Sequence, residues 1–233
     1  MTQTQVQRER LIKRRLSAFS TVALFAVLLF SLVRVVESRG SSSGAPAAPS
    51  ATRSTADSLE SKIQELSIPA TERPKSFKPI VITDREANAY LQTHGTEFLP
   101  PAVGTPELRI YSDHVTGAAV VDFDQLQVLG KQSNDIGMQV VGTLFKGKQK
   151  VSASGKLSSG DGHAQVTVQS LSIGTTDIPD WLTQAMLQSY MEKSYKLDLS
   201  KPFPLPDHVT RIDLATGQAT FVRSPAKKPA IAK

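Results

Sequence analysis

The chain has 233 residues, no cysteine, 27 Lys+Arg and 21 Asp+Glu, for a formal net charge of +6. Without cysteine, a disulfide framework, a thiol nucleophile, a thiolate metal site and the acylated cysteine of a lipoprotein are all excluded, so stability has to come from a packed core. Nor does the positive charge point to nucleic acid: residues 57–222 carry 15 Lys/Arg against 19 Asp/Glu, a net of −4, and the basic excess lies in the flanks with no patch of interleaved aromatics.

Residues 1–15 form a basic cytoplasmic segment (Arg8, Arg10, Lys13, Arg14, Arg15), followed by Leu16–Val33, eighteen residues without a charge or a proline. At about 1.5 Å per residue such a helix nearly crosses a hydrocarbon core of roughly 30 Å, and Arg34 can snorkel at its end, so residues 16–36 read as a transmembrane helix. The basic side stays inside, which predicts a single-pass protein of a bacterial inner (cytoplasmic) membrane with a cytoplasmic N-terminus and an extracytoplasmic main domain. A cleaved signal peptide is the rival, because Ala45, Ala47 and Ala48 offer small residues downstream; the apolar run exceeds a usual h-region, however, and Arg34 interrupts the approach to that site.

Gly40–Thr55 is almost wholly Gly, Ser, Ala, Pro and Thr, a composition that cannot offset its own ordering entropy, so residues 37–56 are expected to be a disordered linker. Leu59, Ile63 and Leu66 then recur at helical spacing. Residues 57–74 are accordingly expected to hold a short amphipathic helix and a connector, packed on the domain or, alternatively, lying on the membrane surface. The main α+β domain spans residues 75–223, and the Pro-, Ala- and Lys-rich residues 224–233 are expected to be a disordered tail.

Within the domain, Thr83 as N-cap, Glu86 three residues on, and Ile82 with Ala87 as a hydrophobic staple predict a helix start. Ala87, Tyr90 and Leu91 form its buried face, and Gly95 and Pro100-Pro101 end it. From Glu107 the period changes to two, predicting long strands over 107–111, 115–125, 136–146, 149–157 and 163–174, with hairpin signals at Ser112-Asp113-His114, Lys146-Gly147-Lys148 and Gly160-Asp161-Gly162. Ala164, Val166 and Val168 share one face while Leu171 and Ile173 fall out of phase, which predicts a bulge near Ser170. Asp177-Ile178-Pro179-Asp180 opens a second helix toward Tyr195, with Ile178, Trp181, Leu182, Ala185, Met186 and Tyr190 on a broad apolar face. Residues 201–206 must be extended because prolines recur, and a final hairpin, Val209–Leu214 and Ala219–Val222, turns at Thr216-Gly217. The expected fold class is therefore α+β: a single transmembrane helix, a flexible tether, and a long curved antiparallel β-meander packed around one or two helices.

His94, His114, His163 and His208 are scattered without metal-ligand spacing, and the glycines form no phosphate loop, so no metal or cofactor is expected. Asp122 and Asp124 share a face of a predicted strand, as an acid–base pair would, although surface charge is the commoner meaning of such a pair. With no catalytic signature elsewhere, the chain is not expected to be an enzyme. Trp181, Met186, Tyr190, Met191 and Tyr195 either fill a core or line an apolar groove in which flexible Met side chains take acyl chains. On the second reading Trp181, Ala185, Met186 and Tyr190 are the ligand-binding candidates, and Gly130–Gly137 either covers the mouth or is a mobile hairpin loop.

The capped helix with Glu86, Asn88 and Leu91, the meander, the helix after Ile178-Pro179, and the closing Phe203-Pro204-Leu205-Pro206, Val209, Ile212 and Gly217 pattern resemble bacterial envelope proteins of the tubular lipid-binding (TULIP-like) kind. The resemblance covers about residues 78–222. It implies a bent antiparallel sheet wrapped around a helix with an apolar cavity for lipid tails, and hence membrane lipid as the partner. A retained anchor departs from the soluble or lipoprotein forms common in such proteins. The alternative is a non-enzymatic scaffold that meets an envelope protein; nucleic acid is not an expected partner.

Overall fold

The computed structural model describes residues 50–69, 71–72, 74–97, 99, 101–104, 106–133, 143–184 and 201–225. The basic segment, the apolar segment, most of the predicted linker and most of the C-terminal tail lie outside these residues. Among the described residues, no helix is long and apolar enough to cross a membrane.

The first helix, α1 (Ser50–Leu66), starts seven residues before the position expected for it, so residues 50–56 are helix and not linker. Ala56, Leu59, Ile63 and Leu66 are all buried, which extends the spacing seen in the sequence by one turn toward the N-terminus. A connector then leads to β1 (Ile80–Thr83) and α2 (Asp84–His94), whose start forms the predicted capping box. Thr83 Oγ1 accepts from the Glu86 amide (3.2 Å) and the Glu86 carboxylate accepts from the Thr83 amide (3.0 Å), so two amides that the helix itself leaves unpaired find partners.

The strands form two sheets, where a single meander was expected. Strands β2 (Glu107–Ile110), β3 (Val115–Asp122), β4 (Lys148–Gly160), β5 (His163–Ile173) and β6 (Thr176–Asp177) make one antiparallel sheet in sequence order, with β7 (Phe203–Pro204) also paired to β5. The second sheet is β1, β9 (Gln218–Arg223) and β8 (Val209–Ala215) in that order. Asp161 (φ 50) and Gly162 (φ 74) are both left-handed in the β4–β5 turn, the geometry whose twist matches a two-residue hairpin.

One predicted strand is replaced. Strand β3 ends at Asp122 and the chain turns into α3 (Phe123–Ser133), because Phe123, Leu126 and Leu129 recur at helical spacing and pack on the sheet. Gly130 to Ser133 are therefore helical, not part of a hairpin loop. Of the strand expected over 136–146, residues 136–142 lie outside the described residues, Thr143 and Leu144 are helical, and β3 pairs directly with β4, with Val120 opposite Lys150. Lys146-Gly147-Lys148 accordingly joins this helical segment to β4 and does not turn a hairpin; Gly147 is left-handed there (φ 64) and its carbonyl accepts from Phe123 N (2.9 Å).

The bulge near Ser170 is present. Ser154 pairs with Ser170 but Gly155 pairs with Val168, so Gln169 is the extra residue. Its effect is to keep Ala164 and Val166 on the same face as Leu171 and Ile173 although their parities differ, and all four are buried. That face carries two cores. The first gathers α1, α2, the three-stranded sheet and β2 with Val115, Leu157, Ala164, Val166 and Phe203. The second gathers Ala119, Val121, Val151, Ala153, Leu171 and Ile173 under Phe123, Leu126 and Ile178.

Candidate functional site

At the first core the polar groups are tied to one another. Glu86, 8% exposed, accepts at Oε1 from Lys62 Nζ (2.6 Å) and Ser58 Oγ (2.8 Å), and at Oε2 from the Thr83 amide and hydroxyl (both 3.0 Å). Burial alone would push its carboxyl up, but the bonds from Lys62, Thr83 and Ser58 outweigh it and hold the group below its ordinary value. Lys62 Nζ also donates to Val81 O (2.7 Å), and Arg223 joins Glu65 (2.7 Å) and Lys78 O, so α1 is fastened to both sheet and helix.

Between α1, α2 and the sheet edge β2 lies an open cleft of about 480 Å³, walled by Thr52, Thr55, Arg85, Asn88, Gln92 and Arg109 among others. Asn88 acts as a one-residue strand on that edge: its Nδ2 donates to Leu108 O (2.8 Å) and its Oδ1 accepts from Leu108 N (2.7 Å). Glu107 pairs with Arg109 at 3.0 Å in an exposed bridge that raises the guanidinium above its ordinary value. The cleft is polar and carries both charge signs, and it presents no nucleophile held by a base. None of its residues was singled out as a ligand-binding candidate in the sequence, although Asn88 belongs to the pattern that carries the resemblance, since they come from three separated segments with no shared spacing.

The placement of Asp122 and Asp124 together on one strand face is corrected. Asp122 Oδ1 accepts from Gln125 N (3.0 Å) as the N-cap of α3, and Asp124 sits in that helix's first turn, where carboxylates complement the helix dipole. The four histidines remain apart. His94 stacks on Tyr90, His114 on Tyr111 and beside Asp113, His163 bonds Asp161 O, and His208 meets Phe77. Among the described residues, no three His, Cys, Asp or Glu side chains are placed to hold a metal.

Of the predicted ligand-binding residues, Ala185, Met186 and Tyr190 lie outside the described residues. Trp181 is described, and it points away from the expected buried face: it is 71% exposed in the first turn of its helix, while Ile178, Leu182 and Thr183 turn inward. It has company. The other large apolar side chains left exposed among the described residues are Val120 (49%), Val128 (52%) and Leu144 (67%), and every one sits on an element that closes the second core. Gln127 Nε2 donates to Thr143 Oγ1 (2.9 Å), which ties α3 to the short helical segment that carries Leu144. Sequence reasoning missed these three because each has an apolar sequence neighbour, Val121, Leu129 or Phe145, that takes the inward position. Compared with known proteins, the chain matches no family model, no curated sequence and no solved structure.

Proposed function

We propose that the chain is a membrane-anchored extracytoplasmic domain that binds or presents an apolar ligand, a lipid, without catalysing a reaction. The observation that carries this is that the large apolar side chains left exposed among the described residues, Val120, Val128, Leu144 and Trp181, all belong to elements that close the second core. A contiguous set of exposed apolar side chains marks a surface that meets something apolar, and Val128 and Leu144 stand on segments tied by the Gln127–Thr143 bond. The uninterrupted segment 16–33 with its basic flank, and the resemblance to tubular lipid-binding proteins, agree with a ligand drawn from the membrane. Native mass spectrometry of the purified protein tests it: co-purified lipid is expected, and Leu144→Asp should lower its amount. A lipid-free protein in which this substitution changes nothing but melting temperature overturns the proposal.

A scaffold in an envelope complex is the second reading, favoured by the polar cleft beside Arg85 and Arg109. A photoreactive residue in place of Gln92 tests that reading in cells, where one discrete adduct abolished by Arg109→Glu is expected.

A further inference from the structure

The open cleft between α1, α2 and β2 is lined by charges of both signs, Asp84 and Glu107 against Arg85 and Arg109, and they are not equally committed. Arg109 donates through Nε (3.3 Å) and Nη2 (3.0 Å) to one oxygen of Glu107, so these two charges cancel one another. Asp84 and Arg85 are sequence neighbours at the start of α2, yet neither side chain makes a hydrogen bond or an ion pair among the described residues. The same holds for the Thr52 hydroxyl on α1 and for the Gln92 amide, two turns along α2 from Arg85. The backbone fixes where the uncommitted pair stands: Asp84 N donates to Gly217 O (2.9 Å) and Gly217 N donates to Ile110 O (2.8 Å), so the start of α2 and the Arg109 end of β2 meet at one turn.

A purely anionic ligand would bring its charge against Asp84, and a purely cationic one against Arg85. A group that carries both an ammonium and an oxyanion meets neither obstacle. The guanidinium fork takes the oxyanion oxygens two at a time, the carboxylate takes the ammonium, and Thr52 and Gln92 add neutral donors. At about 480 Å³ the cleft has the size of a small-ligand site. Its position agrees with a membrane source, because Thr52 belongs to the first turn of α1, and residues 34–49, which join that turn to the apolar segment, reach roughly 55 Å at most. We infer that the cleft binds a zwitterionic group, an ammonium joined to an oxyanion by a short linker, with Arg85 on the oxyanion and Asp84 on the ammonium. The phosphoethanolamine headgroup of a membrane lipid and the two ends of a short peptide share this chemistry. For the first source the inference rests on the apolar-ligand reading above, to which it adds the polar half of the ligand.

Calorimetry on the full chain in a nonionic detergent tests this with soluble probes that have no acyl chain. Glycerophosphoethanolamine has both charges, glycerophosphoglycerol keeps the phosphodiester and lacks the amine, and alanyl-alanine has both charges and no phosphate. Glycerophosphoethanolamine should bind about tenfold more tightly than glycerophosphoglycerol, a comparison that needs no variant. Asp84→Asn should erase that preference, and Arg85→Gln should weaken glycerophosphoethanolamine by about tenfold; melting curves of both variants separate loss of the site from loss of the fold. Tighter binding of alanyl-alanine upholds the zwitterion and makes its source a peptide. Equal binding of the two phosphodiesters, or a preference indifferent to Asp84→Asn in a folded variant, overturns the ammonium contact and with it the proposal. Binding of no probe overturns it outright and leaves the cleft to a protein partner. Lipid that co-purifies in native mass spectrometry while no probe binds refutes the cleft alone, whereas a lipid-free protein that binds the probes refutes the apolar-ligand reading alone.

Discussion

Replacing Glu86 by Gln changes almost no volume and tests whether the charge at the centre of the α1–α2 contact stabilises the domain. The carboxylate takes four donors, two on each oxygen, and an amide can offer only one oxygen, so two donors come to face an NH2 group. Hydrogen bonds to charged groups contribute about 1.5–3 kcal/mol each, and a stranded buried donor costs about as much. Lys62 softens the loss, because its side chain is 30% exposed and keeps Val81 O. The expected cost at neutral pH is therefore about 2–4 kcal/mol, below the upper end for breaking a fully buried pair. The pH profile follows from the sign of the shift. The folded pKa of Glu86 lies below its ordinary 4.5, so its contribution is complete above that value and is lost as pH falls through the folded pKa. Urea denaturation of residues 50–233, followed by far-ultraviolet circular dichroism, should show the gap between Glu86→Gln and the unmutated protein narrowing in acid. A gap under about 0.5 kcal/mol at neutral pH, within the ordinary effect of a surface substitution, or one that stays constant into acid, refutes the reasoning.

Asn88→Ala leaves the amide and carbonyl of Leu108 without their partner on the sheet edge, and should cost about 1–3 kcal/mol while accelerating amide exchange at Leu108. Leu59→Ala in the fully buried face of α1 should cost about 2–5 kcal/mol by thermal or urea denaturation, whereas Trp181→Ala should stay within about 0.5 kcal/mol. Deleting Gln169 removes the bulge and restores plain alternation, so Ala164, Val166, Leu171 and Ile173 stay on one face and the variant should still unfold cooperatively; loss of the cooperative transition would show that the bend made by the bulge is itself required. Asp122→Ala should cost about 1 kcal/mol and leave the β-sheet signal unchanged, as expected of a helix cap.

Local chemistry was readable in the chain wherever a few neighbouring residues decide the outcome. Thr83 and Glu86 form the expected box, Asp161-Gly162 the expected turn, and the phase change after Val168 the expected bulge, because each depends on sterics or hydrogen bonds within a handful of residues. Misreading began where two periods compete. Val121, Phe123 and Gln125 continue a strand alternation, but Phe123, Leu126 and Leu129 also match a helix, and the second core settles the matter by burying Leu126 completely. Asp122 then changes meaning from a strand-face carboxylate to a cap. Trp181 was assigned inward because large apolar residues usually are; burial of Ile178 and Leu182 on the opposite side turns it to solvent. The polar cleft was beyond reach, since its walls are set by how α1 docks on α2 and β2.

The pairing of β1 with β9 also governs the order in which the protein can mature. The β4–β5 hairpin closes over a two-residue turn and can form as soon as both strands have been synthesised. By contrast, Ile80 finds its partner in Phe221 and Ile82 in Ala219, near the opposite end of the described chain. Until the ribosome has delivered that last hairpin, α1 and α2 have only part of the surface they pack against, and the apolar groups of the first core stay open to mistaken partners. Contacts this distant in sequence slow folding, so the nascent domain passes through a stage in which its second core can be complete and its first cannot.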